Sequence, residues 1–222
     1  AGQGGIVVAG GIELMSAVPM GGNEPTNSPL LQDEDRGVSY PMGLTAEMVA
    51  DTYQVSRADQ DAYAVQSHQR AYEAQQAGKF EDEIIPIEVN DVSYDHNGPV
   101  VTKKQFKTDE MIRPDTNAEA LAQLRTVFKA DGTVTAGTSA PLTDGSGFVV
   151  VMSGDKVKEL GVTPIARFVG FKAVGVDPKL MGIGPAYAIP EVLSANGLTI
   201  DDIDITELNE AFASQTLASI RE

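Results

Sequence analysis

Cysteine is missing from all 222 residues. Its absence excludes disulfides, thiolate zinc sites and any cysteine nucleophile within these residues, and agrees with a reducing compartment. Long apolar runs are missing too: none approaches the roughly 18 residues of a membrane span. No basic-then-apolar signal opens the chain, so no membrane insertion is expected. Positive charge is scarce, with 16 Lys and Arg against 32 Asp and Glu and a formal net charge of −16. So acidic a surface is repelled by phosphate backbones, which argues against nucleic acid as a partner and suits a cytoplasmic protein handling small solutes. Histidine occurs only twice, at His68 beside the apolar stripe of a helix and at His96 in the turn-like "YDHNG". Neither has ligand spacing to the other, so no metal site is expected.

What is present is enough apolar material to fold, 42% hydrophobic residues against 22% charged. The pattern is α/β. "GGIVVAGG" (4–11) is a β-branched run between glycines and reads as a buried strand. Residues 20–40, rich in Gly, Pro, Asn and Ser, read as an excursion from the sheet. The excursion holds a helix from about Thr45 to Tyr53 and a longer one after Ser56 that ends at Gly78, with Ser56 and Asp59 as a capping pair. A third is expected from roughly Ala118 to Phe128, and the strand-like "DEIIPIEV" lies between the second and third. Strand patterns return in "GTVTAG", "GFVVVMS", "PIARFVGFKAVGV" and "IDITEL", with helices near 185–196 and after Asn209. The simplest architecture is a layered α/β body with a mostly helical insertion at about 20–130.

Several chemistries can be tested by spacing. "GIGPAY" (182–187) starts like a dinucleotide fingerprint, but Tyr187 occupies the third glycine position and Pro185 interrupts the turn. "DGSGF" (144–148) lacks the spacing of a serine nucleophile elbow. Lys103, Lys104, Lys107 and Arg113 gather in "KKQFKTDEMIR", either as a solvated loop or as an anion-binding cluster in which the Arg fork matches phosphate oxygens. Asn209, in "ELNEAFASQ" (207–215), stands where a strand-like run gives way to a helix-like one, a position that suits an N-cap.

Read together, "GGIELMS" (10–16), "PMGLTAEMVA" (41–50), "GTVTAGTSAPLTDG" (132–145), "MGIGPAYAIP" (181–190) and "LNEAFASQ" (208–215) resemble the thiolase family, closest to the degradative 3-ketoacyl-CoA thiolases. The resemblance implies a layered α-β-α-β-α fold, here incomplete. Residues 1–160 would be the remainder of the N-terminal half, with the loop domain inserted at about 20–130, and residues 161–222 the start of the C-terminal half. It also implies coenzyme A as co-substrate, no tightly bound cofactor, acyl-CoA as partner, and a homodimer or homotetramer. The implied activity is acyl transfer: thiolytic cleavage of a 3-ketoacyl-CoA to acetyl-CoA and a shortened acyl-CoA, as in fatty acid β-oxidation.

Residue by residue, the resemblance makes Asn209 the amide that holds an oxyanion-hole water. It places Met42, Phe128, Met181, Ala211 and Phe212 along the pantetheine and acyl pocket and Arg113 near the CoA nucleotide. Where many relatives carry serine in "TAGTSAPL" this chain has Ala140, with Ser139 beside it as the substitute CoA contact. The family's two catalytic cysteines and its glycine-flanked histidine match nothing in these residues, so the chain is expected to be an internal fragment, inactive alone. Two alternatives remain. One is a biosynthetic-type acetoacetyl-CoA thiolase, which usually places His where this chain has Pro41; the other is a non-catalytic acyl-CoA-binding protein.

Overall fold

Ser56 and Asp59 start the longest helix by exchanging bonds with each other's backbone. The Asp59 N–H donates to Ser56 Oγ at 3.1 Å and the Ser56 N–H donates to Asp59 Oδ2 at 3.4 Å, forming the capping box legible in the sequence. A computed structural model describes every residue except 1–3, 24–25 and 35. In chain order its elements are β1 (Ile6–Glu13), α1 (Pro29–Glu34), α2 (Met42–Thr52), α3 (Arg57–Gln76), β2 (Ile87–Asp95), β3 (Gly98–Phe106) and α4 (Ala118–Ala122), followed by β4 (Gly145–Met152), α5 (Gly154–Leu160), α6 (Gly184–Ala195) and α7 (Ala213–Arg221).

β1 and β4 pair antiparallel from Ile6↔Met152 to Glu13↔Gly145. The chain therefore leaves one end of this ladder and returns to it, and the gap is closed by Asp144, which accepts the Ser16 N–H at 2.8 Å and the Ser16 hydroxyl at 2.5 Å. A second ladder, β2 with β3, forms a hairpin whose turn is set by Asp95 accepting the Asn97 N–H at 2.7 Å. β2 begins at Ile87, one residue after Pro86, whose ring nitrogen has no proton to give to a ladder.

The helices carry the core. Val49, Val55, Ile183 and Ala218 are buried together, with Tyr53, Leu180, Ala186 and Leu217 packed around them. They join α2, a 3-10 turn at Pro178–Ile183, α6 and α7, while α3 packs on α7 and α4. Ser214 at the start of α7 donates to the carbonyl of Ala46 in α2 at 3.1 Å, which fixes the two helices in register. Glu47 of α2 is fully buried, and its carboxylate accepts the N–H groups of Thr133 and Val134 and the Thr133 hydroxyl. The loop at Thr133 and Val134 is thereby anchored to α2.

Five expectations change, the first being burial of the "GGIVVAGG" strand: every residue of β1 is exposed, since no element among the described residues packs over it. The third helix stops at Ala122 rather than Phe128, because the Arg57 guanidinium binds the carbonyls of Leu121 and Leu124 at 2.6 and 3.1 Å, and Val127 N–H turns to Val134 O at 3.2 Å. "GTVTAG" forms an isolated bridge, Thr126↔Thr135, and a 3-10 turn at Ala136–Thr138 instead of a strand. "PIARFVGFKAVGV" and "IDITEL" carry strand patterns but find no ladder partner among the described residues, and Phe168 and Phe171 stay 78% and 79% exposed. α7 starts at Ala213 with Phe212 as its cap residue, so Asn209 caps nothing.

The area left in water is large. A monomer of 23.5 kDa exposes about 9,800 Å² by the usual size scaling, whereas this chain exposes 16405 Å². Much of the excess lies on β1 and β4, where Val8, Ile12, Phe148 and Val150 are all exposed.

Candidate active site

A cleft of about 230 Å³ opens where α2, the Pro178–Ile183 turn and residues 208–212 converge. Met42, the first residue of α2, forms one wall and Met181 from the turn another. Asn209, Ala211 and Phe212 line the cleft from the 208–212 segment. The wall is mostly apolar, and among its few polar groups, beside Thr45 and the Gln215 amide, is the Asn209 amide. Its oxygen is not committed to a helix end, contrary to the capping reading.

Phe128 joins this cleft indirectly. Its ring meets Phe212 edge-on, with centroids 6.1 Å apart and planes at 85°. The approach requires glycine at position 43, since a Cβ there would sit 2.2 Å from the Phe128 ring. Phe128 and Phe212 are thus one unit whose position depends on a missing side chain in α2.

Residues 208–212 lie outside regular secondary structure, and side-chain and backbone ties hold them. Ala211 O accepts the Ala140 N–H at 2.9 Å, beside an isolated antiparallel bridge between Ser139 and Phe212. Gln215 reaches back to accept the Phe212 N–H at 3.4 Å. Glu210 is gripped by α3: its two carboxylate oxygens accept the Tyr63 and Ser67 hydroxyls, both at 2.5 Å. Burial first, and Glu210 second, push the Tyr63 phenol well above its ordinary value, so it stays a proton donor at any working pH.

A second, larger cavity of about 560 Å³ is lined by Arg113 and Ser139 together with His68, Asp115 and Leu124. Arg113 is exposed, and its backbone N–H donates to His68 Nδ1 at 3.2 Å. That bond requires Nδ1 to be unprotonated. Burial lowers the His68 pKa below its usual value, and the Arg113 charge lowers it further against Glu210 and Asp115, so the ring is neutral at pH 7. Ser139 Oγ donates to Thr135 O at 2.7 Å, which spends its proton locally and leaves only acceptor capacity for a ligand. A small cavity of about 170 Å³, lined by Tyr63, Ser67, His68, Ser139 and Glu210, lies between these residues and the Asn209 segment.

The structure therefore gathers Met42, Met181, Asn209, Ala211 and Phe212 in one cleft, adds Phe128 by ring contact, and puts Arg113 and Ser139 in a second cavity. The basic cluster disperses. Lys103 pairs with Glu88 across the hairpin at 2.5 Å, and Lys107 lines a separate hollow beside Gln75 and Gly78. Tyr63, Ser67 and His68 line the cavities without belonging to any motif that marks a site, and Glu210 lines one beside them. Their signal was the i, i+4 spacing of Tyr63 and Ser67 on one helix face, opposite an acid next to Asn209. Among the described residues no group of three or more His, Asp or Glu could hold a metal ion.

Comparison with known proteins fixes the class. The family models for the N-terminal and C-terminal domains of thiolase match residues 1–155 and 162–222, and the chain belongs to the thiolase family. It is 47% identical over 217 residues to the 3-ketoacyl-CoA thiolase of Bacillus subtilis, covering 97% of this chain and 55% of that protein. The dimeric peroxisomal thiolase of Saccharomyces cerevisiae superposes with a TM-score of 0.86 at 40% identity, over 99% of this chain and 55% of that one. Human mitochondrial 3-ketoacyl-CoA thiolase in complex with CoA gives 0.80 at 41% identity, over 97% and 55%. The chain spans about half the length of the relatives it matches, and over that half it has the thiolase fold. No helix among the described residues is long and apolar enough to cross a membrane.

Proposed function

We propose that the full-length protein carrying this chain is an acetyl-CoA C-acyltransferase that cleaves a 3-ketoacyl-CoA with free CoA. The products would be acetyl-CoA and an acyl-CoA shortened by two carbons. The observation that carries this reading is the cleft that Met42, Met181, Ala211 and Phe212 line together with Asn209. In it the apolar walls accept the acyl and pantetheine chain and exclude water, so the Asn209 amide, through a held water, acts on developing negative charge in a low-dielectric site. Arg113 and the cavity around it take the CoA nucleotide, where a forked cation suits phosphate. The nucleophilic cysteine, the second cysteine and the histidine belong to parts of the protein outside these residues.

Within that reading, residues 1–160 form the remainder of the N-terminal thiolase half, with the loop domain inserted at about 20–130, and residues 161–222 begin the C-terminal half. CoA and acyl-CoA are the ligands and no tightly bound cofactor is required. The assembly is a homodimer or homotetramer in the cytoplasm. A relative described as dimeric supports the oligomer, and another in complex with CoA supports CoA as a ligand. Pro41 supports a substrate longer than acetoacetyl-CoA. The test is CoA-dependent loss of a 3-ketoacyl-CoA by the full-length protein, run on acetoacetyl-CoA and a longer substrate in parallel. Faster turnover of the longer substrate is expected. No turnover of either sinks the reading, and a strict four-carbon preference replaces it with a biosynthetic-type acetoacetyl-CoA thiolase.

A further inference from the structure

Asn209 sits in an irregular segment, and a catalytic amide must be held to within a fraction of an ångström to act on developing charge. Something other than a helix cap has to hold it. The neighbouring side chain is placed to do so. Asn209 lines the cleft with Met42 and Met181, while Glu210 lines the small cavity with Tyr63 and Ser67 and meets α3. Its two oxygens are taken by donors one helical turn apart on a 20-residue helix, Tyr63 and Ser67, each at the short distance of a charge-assisted bond. Two bonds to one carboxylate fix its rotation as well as its position, which a single bond does not.

We propose that Glu210, clamped by the Tyr63 and Ser67 hydroxyls, is the positioning residue that fixes the Asn209 amide in the oxyanion site. The inference rests on the thiolase reading of Asn209 above. Glu210 touches no substrate in this account. It transmits the rigidity of α3 to the residue before it, and the Ala140 to Ala211 backbone bond secures the other side. Helix α3 thereby serves the reaction without lining the acyl cleft.

The test uses the full-length protein with Tyr63→Phe, Ser67→Ala and the two combined, each also in an Asn209→Ala background, with kcat, the KM for CoA and the melting temperature measured. Tyr63→Phe removes one hydroxyl without changing ring volume and folds even if the combined variant does not. The combined variant is expected to lose about tenfold or more in kcat with the KM for CoA within about twofold of wild type. Ser67→Thr, which keeps the hydroxyl, should restore most of what Ser67→Ala loses. In the Asn209→Ala background the clamp substitutions should cost nothing further, since residues acting as a unit are not additive. Full additivity there, or wild-type kcat in both Tyr63→Phe and Ser67→Ala, overturns the clamp while leaving Asn209 in its role. An Asn209→Ala enzyme of wild-type kcat removes the oxyanion reading itself and the clamp with it.

Discussion

A side chain that is absent sets part of the Asn209 cleft. Gly43 leaves room for the Phe128 ring, which in turn holds Phe212 edge-on. Gly43→Ala should displace Phe128 and destabilise the full-length protein by about 1–3 kcal/mol, the usual cost of overpacking, with a fall in melting temperature that a Gly43→Ala, Phe128→Leu pair partly relieves. A melting temperature unchanged by Gly43→Ala would mean that the two rings can separate freely. In the proposed function Arg113 takes the CoA nucleotide, so Arg113→Ala should raise the KM for CoA and leave kcat near wild type. An unaltered KM would take Arg113 out of the site. Met42, Met181, Asn209, Ala211 and Phe212 were legible because their motifs are local, and the fold brings those motifs to one cleft. Glu210 with Tyr63 and Ser67 was not legible as a unit. Its partners lie 143 and 147 residues away in the sequence, and neither a hydroxyl nor a lone carboxylate announces its pairing.

Among the elements, helices were read better than strands. α3 is legible to within a residue or two because its capping box is a local signal, whereas α4 ends before its apolar pattern does because Arg57 supplies carbonyl partners from a different helix. "PIARFVGFKAVGV" has a strand's alternation, yet a strand exists only with a neighbour to receive its bonds, and none pairs with it among the described residues. Two joints between elements depend on carboxylates. Asp59 links the start of α3 to Arg221 of α7 at 3.0 Å, and Asp144 closes the β1 and β4 gap through Ser16. Arg221 and then Ser56 lower the Asp59 pKa, and Ser16 lowers that of Asp144. Depressed folded values mean that both joints contribute fully above the ordinary carboxylate range and lose their contribution as pH falls through the lowered values. Melting temperature in the full-length protein should therefore drop below about pH 4, and Asp59→Asn with Asp144→Asn should flatten that acid limb. An equally steep limb in the double variant would place acid sensitivity elsewhere. Glu47 joins α2 to the Thr133 and Val134 backbone, and Glu47→Gln puts a donor where N–H groups point. The expected loss is about 2–3 kcal/mol by thermal or chemical denaturation, and an unchanged stability would show that the loop is held without the carboxylate.

At the scale of the molecule, chemistry and packing point the same way. The exposed area of 16405 Å² and the bare apolar strands β1 and β4 describe a body that leaves far more surface in water than a monomer of its size usually does. The residues alone should bind a hydrophobic dye, melt without a sharp transition and hold CoA weakly or not at all. A cooperative melt together with low-micromolar CoA binding would instead favour the non-catalytic acyl-CoA-binding protein. The α/β class and the thiolase motifs were legible from end to end because they are spread along the chain. The pairing of β1 with β4 and the separation of the Arg113 cavity from the Asn209 cleft were not, since both depend on contacts between distant segments.

Most direct of all is a comparison of thiolysis by the full-length protein and its Asn209→Ala variant, with kcat and the KM for CoA measured together. Loss of one oxyanion-hole element should lower kcat by about a hundredfold or more and leave the KM for CoA nearly unchanged. An Asn209→Ala enzyme with wild-type kcat would contradict the assignment of this cleft as the site of reaction.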